Sequence, residues 1–184
     1  MAIGYKLFRM KEGKLYPLYV LANKETPIGK WIEAECGEMS ENGKVKSRLG
    51  ELAYRAGWHL NDGVPYVSHI YSVHNGKKYL KDGVVWAEVE YADAVSYQDE
   101  ANKNGVHKSG KFVPRDAYLR AVPKNGYYRY KTNPNMTVEW IISGAIKINR
   151  IMSDEEVYNM CLDAGYEPLR RYKKNCCKWI MSDL

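Results

Sequence analysis

Apolar and polar residues alternate over residues 3–9 (IGYKLFR), the period of a strand with one buried face. Glu12-Gly13 turns the chain into a second strand over 14–21 (KLYPLYVL), where Pro17 marks an edge or a bulge because it cannot donate to a ladder. Residues 28–35 (IGKWIEAE) predict a third strand, 37–50 a polar loop, and Gly57-Trp58-His59-Leu60 a short apolar run before the turn Asn61-Asp62-Gly63. Tyr66–Ser72 and Val84–Tyr91 predict further strands, with Asn75-Gly76 and Asp82-Gly83 as turns between them. In the second of these, Val85, Ala87, Val89 and Tyr91 share one face; Val84, Trp86, Glu88 and Glu90 share the other and predict an acidic outer surface.

Tyr127–Tyr130, Thr137–Ser143 and Ala145–Ile151 predict the closing strands. Ser153-Asp154-Glu155-Glu156 is a capping box, with Ser153 as cap and Glu156 reaching back. Val157, Met160 and Cys161 line the helix that follows, and Gly165 stops it. Pro168 opens a second expected helix through Met181, with Arg170, Arg171, Lys173, Lys174 and Lys178 on a basic outer side. Many strands followed by helices predict an α+β fold: a mostly antiparallel sheet with two C-terminal helices. The expected organisation is one domain over 1–184, with a strand-rich core (1–152), a basic excursion (101–131) and a helical pair (153–182).

Charge changes the picture in one place. Residues 101–131 hold eight basic residues (Lys103, Lys108, Lys111, Arg115, Arg120, Lys124, Arg129, Lys131) and one acid, Asp116. Residues 1–100 carry 13 basic and 14 acidic residues, and residues 132–184 carry 7 of each, so the net charge of +6 is local to this stretch. Tyr127 and Tyr128 lie among the basic residues, and cations interleaved with aromatics suit a polyanion backbone and its bases. The same residues also describe a solvated loop, and the C-terminal helices resemble a helix-turn-helix only in outline.

Catalytic signals are sparse. His59 and His69 flank a turn and could serve as acid and base, with Glu88 beside them in an enzyme acting on a nucleic acid or nucleotide. Paired Glu88 and Glu90 could hold a divalent ion, although a solvated strand face is the commoner use. No phosphate loop, dinucleotide fingerprint, nucleophile elbow or zinc spacing is present, so no metal or cofactor is expected. The four cysteines, Cys36, Cys161, Cys176 and Cys177, form no CxxC pair and fit reduced thiols in the cytoplasm. No apolar run reaches the about 18 residues of a membrane span, and no secretory leader is visible.

Five fragments carry a family resemblance: Tyr5-Lys6-Leu7-Phe8-Arg9, Gly13-Lys14-Leu15-Tyr16-Pro17-Leu18, Gly57-Trp58-His59, the Pro65…His69 spacing and Val85-Trp86-Ala87-Glu88-Val89-Glu90. Together they resemble a family of small phage and mobile-element proteins of gut bacteria that includes anti-CRISPR inhibitors of the type II effector nuclease. The resemblance covers the first half of the chain and Ile146–Ser153. It implies a binding inhibitor in the host cytoplasm, with the CRISPR effector nuclease and its DNA or guide RNA as partners, and supplies no catalytic residues. A basic chain is unsuited to mimicking DNA. An inhibitor of this charge would grip nucleic acid through Lys103 to Lys131, in a salt-dependent way.

Overall fold

The computed structural model describes residues 1–55, 57–103, 105–108, 111–113, 122–131, 135–136 and 138–173, with the backbone alone at 106–108 and 111–113. Among them the first half of the chain forms β1 (Ala2–Lys11), β2 (Lys14–Tyr16), β3 (Trp31–Glu33), β4 (Val45–Ser47), β5 (Gly50–Leu52), β6 (Trp58–Asp62), β7 (Tyr71–His74), β8 (Lys77–Leu80) and β9 (Val84–Tyr91). There follow β10 (Val95–Ser96), α1 (Gln98–Lys103), β11 (Val106–Lys108), β12 (Lys111–Val113), β13 (Gly126–Tyr130), β14 (Trp140–Ser143), β15 (Ala145–Ile151) and α2 (Asp154–Asp163). The fold is α+β: a large, mostly antiparallel sheet with, among the described residues, two short helices, one of them towards the C-terminus.

The main sheet runs β10-β13-β14-β6-β1-β9-β15-β3, and β2 pairs with the end of β1. β14 and β15 are separated in sequence by Gly144 alone, yet β6, β1 and β9 stand between them in the sheet. A sheet meets both conditions only by curling, which β-strand twist favours. The indole of Trp58 on β6 donates to the Ile32 carbonyl on β3 at 3.0 Å, tying together strands far apart in the order. Gly144 is required at the bend, because a Cβ there would lie 1.9 Å from the Pro123 carbonyl oxygen.

Two apolar clusters lie on opposite faces of the same strands. Phe8, Leu60, Val89, Ile141, Ile146 and Ile148 are each fully buried and come from β1, β6, β9, β14 and β15. Each such side chain stabilises the fold by about 1.5–3 kcal/mol. On the other face Leu7, Val84 and Trp86 pack under Val67 and Ile70 and under Val157 and Cys161 of α2. Both faces of the first half of β9 are therefore covered, which corrects the expectation of a solvated Val84–Trp86 face.

The α2 boundaries follow the sequence closely. The Ser153 hydroxyl accepts from the Glu156 amide at 3.1 Å, and Gly165 adopts φ +80° while the Tyr166 amide donates to the Cys161 carbonyl. The Glu156 carboxylate, however, takes Arg150 as its partner. The expected second helix is corrected over its described part. Residues 166–173 are not helical, and Arg171 forms a bridge to Leu80. Its guanidinium donates to Asp154 at 2.7 and 3.1 Å and to the Val84 carbonyl at 2.8 Å, which holds the chain extended beside β8. Residues 66–70 likewise form no strand, and β7 and β8 instead make a hairpin about Asn75-Gly76. The segment expected as a loop over 37–50 contributes to the β4–β5 hairpin. β2 ends before Pro17, where the missing N–H stops the ladder.

Candidate ligand cavity between the first and sixth strands

β1 and β6 pair at only two positions, Gly4 with Asp62 and Tyr5 with Asn61, and then part. Gly4 permits the close approach, since a Cβ there would meet Leu60 Cδ1 at 2.3 Å. Where the ladder ends, the Lys6 ammonium donates to the His59 carbonyl oxygen at 2.7 Å and supplies the hydrogen bond that a strand amide would otherwise make. A cavity of about 450 Å³ opens at this separation, within the range of small-molecule sites. Lys6 and Leu7 of β1, His59 of β6, Trp86 of β9, Tyr130 of β13 and Trp140 of β14 all reach it.

Lys6 lies deep in the protein, and burial lowers its pKa to about 8. It nonetheless keeps accessible surface, because it faces the cavity. Among the described residues no carboxylate pairs with it; the rings of Trp58 and Phe8 lie 5.5 and 5.6 Å from the ammonium. A second cation, Arg55, also lines the cavity and stands 5.4 Å from the Tyr130 ring. Acidic groups sit at its margin, where Glu35 is ion-paired with Lys24.

His59 and His69 both contact one indole. Their rings meet Trp140 edge-on at 6.1 and 5.9 Å, and both residues line the cavity. Burial, reinforced by Lys6 and Arg55, lowers the His59 pKa to about 3. His69 is lowered too, by burial. His59 Nδ1 lies 3.3 Å from the Gly57 carbonyl oxygen, which can only accept, so Nδ1 carries the proton. A neutral imidazole of such low basicity is poorly matched to acid–base work near pH 7. Glu88 does not join the histidines: it accepts from Arg150 at 3.0 Å, outside the cavity. Glu90 pairs with Lys147 at 2.9 Å. The two carboxylates thus have cross-strand cations as partners, and among the described residues no group of three or more His, Cys, Asp or Glu is placed to hold a metal ion.

The basic segment is spread over several elements. Lys103 ends α1 and is exposed, and Lys108 and Lys111 lie on the β11–β12 hairpin. Lys124 is exposed and 4.0 Å from Glu33, Arg129 is held by Asp62 at 2.6 Å, and Lys131 is partly exposed. Tyr128 is 1% exposed and belongs to the core, which removes it as a stacking platform for bases; Tyr127 is half-buried against Tyr91. Arg115, Arg120, Lys174 and Lys178 lie outside the described residues. Of the other C-terminal cations, Arg170 stacks on and donates to Tyr158, Arg171 clasps Asp154, and Lys173 is exposed.

Sequence reasoning missed Lys6, Arg55, Trp58 and Trp140 as site residues. The signal for Lys6 was slight: one lysine within an alternating strand, with nothing to show that its strand neighbour would part from it. Among the described residues no helix is long and apolar enough to cross a membrane. No protein-family model matches the chain, and neither curated proteins nor solved structures give a match, so the likeness to phage-borne inhibitors is carried by the sequence fragments alone.

Proposed function

We propose that this protein binds a small, flat, anionic ligand of the nucleotide class in the cavity between β1 and β6. The observation that carries this reading is Lys6: an ammonium deep in the protein, facing a cavity, with no carboxylate partner among the described residues. Burying a cation without a counter-charge costs stability, and a ligand anion would offset that cost. Trp58, Trp86, Trp140 and Tyr130 supply flat apolar walls for a base, and Arg55 supplies a second cation for phosphate. With His59 held neutral and Glu88 elsewhere, the site favours binding over turnover.

Three indoles line the cavity, so tryptophan emission reports on it directly. Titration with nucleoside mono- and diphosphates should give saturable quenching that is lost in Lys6→Met. Absence of quenching across the panel overturns the reading.

The second reading keeps the binding inhibitor of a type II CRISPR nuclease, acting in the host cytoplasm on the nuclease, its DNA or its guide RNA. The excess of seven positive charges in residues 101–131 favours it. Exposed Lys103 and Lys124 and partly exposed Lys131 support this reading. A salt-sensitive shift of guide-loaded nuclease, reduced when all three become Ala, is its expected signature; no shift at low salt removes it.

A further inference from the structure

We propose that the Lys6 amine is a covalent capture site for aldehydes, so that the cavity takes an anionic aromatic aldehyde as an imine. The inference rests on the proposed ligand site and adds a reaction to it.

Three features of geometry converge. The amine is at the point where β1 and β6 separate and faces a cavity large enough for an aromatic aldehyde. Among the described residues its one hydrogen bond is to a main-chain carbonyl, which can also accept from the neutral amine, and no carboxylate holds it protonated. Burial takes the amine out of water, which disfavours the charged form, and the Phe8 and Trp58 rings beside it shield an imine from water. The lowered pKa, about 8 against an ordinary 10.5, agrees with this environment. At pH 7 it corresponds to about 300-fold more neutral amine than an exposed lysine carries.

The reaction balances without an oxidant or reductant. The neutral amine adds to the carbonyl carbon and forms a carbinolamine. A C=N bond then replaces the C=O bond, and the oxygen leaves as water with the two protons that nitrogen gives up. Arg55, which also lines the cavity, would pair with the anionic group of the ligand.

The test is reductive trapping of the full chain with pyridoxal 5′-phosphate and borohydride, followed by peptide mapping, over pH 6–10. Lys6 should be modified at least about tenfold faster than the other lysines, with a rate that rises through pH 8 and then levels. Equal labelling of the lysines, or a Lys6 rate still climbing through pH 10, overturns the proposal. Lys6→Arg keeps the charge and should bind nucleotide with quenching while losing the adduct. Quenching by nucleotide without Lys6 trapping sinks the imine alone; failure of both sinks the ligand site as well. Circular dichroism of each variant confirms that its fold is retained.

Discussion

The Lys6 ammonium lies 2.7 Å from the His59 carbonyl oxygen, in place of the ladder hydrogen bond lost where β1 leaves β6. The same side chain lines the cavity. Lys6→Met is expected to raise stability at pH 7 by about 1–3 kcal/mol, because removing the buried charge outweighs the lost hydrogen bond. It should abolish ligand binding at the same time. Denaturant unfolding with and without nucleotide measures both, and a less stable variant would show that the cation is fully compensated.

The same group makes stability depend on pH in a defined direction. Its folded-state pKa, about 8, is below the ordinary 10.5, so the unfolded chain binds more protons between these values. The cost of the buried charge is complete below pH 8 and disappears as pH rises toward 10.5. The advantage of Lys6→Met over the parent should therefore shrink across pH 8–10.5. An advantage that is constant with pH would mean that Lys6 does not titrate there.

His59 acts at the acid end. Its pKa falls from 6.5 to about 3 on folding, so stability is lost as pH drops from 6.5 toward 3, by about 1.4 kcal/mol per pH unit for one proton. His69, lowered in the same direction, adds to this. His59→Leu should flatten the slope by about one proton, read as the difference in unfolding free energy between pH 6 and 4.

Two glycines should resist substitution for different reasons. Gly144→Ala places a methyl 1.9 Å from the Pro123 carbonyl oxygen, backbone that cannot step aside. Gly57→Ala forces a side chain onto φ +112° and to 2.5 Å from Ile142 Cγ2. Each should cost more than about 2 kcal/mol. Gly43→Ala meets no atom within 4 Å and carries only the strain of its positive φ, so it should cost less than either.

Tyr128 separates core from interface. Tyr128→Ala should destabilise by about 3–5 kcal/mol, as removal of a buried aromatic does. Ala at Lys103 or Lys131, both on the surface, should change stability by less than about 0.5 kcal/mol each. Urea midpoints distinguish these, and nucleic-acid affinity measured on the same lysine variants tests the basic segment independently of folding.

Local chemistry was legible in the chain wherever neighbours in sequence decide the outcome. Alternation placed β1, β9 and β15, Ser153 and Gly165 bounded α2, and many strands before an expected pair of C-terminal helices implied α+β with a mostly antiparallel sheet. His59 and His69 could be paired because a short turn region separates them. Charge counting located the basic stretch, yet it could not show that Tyr128 faces the core or that Arg129 meets Asp62 from another strand.

Tertiary structure alone decided what depends on residues far apart in the chain. Glu88 and Glu90 became cross-strand partners of Arg150 and Lys147 because β15 lies beside β9. The segment after Gly165 stayed extended over its described residues because Arg171 reaches Asp154 and Val84. The cavity exists because β1 and β6 separate after two pairs while the sheet curls through Gly144. Strand periodicity says which way a side chain points; it does not say whether another strand stands beside it, and that difference turns Lys6 from a surface lysine into a buried one.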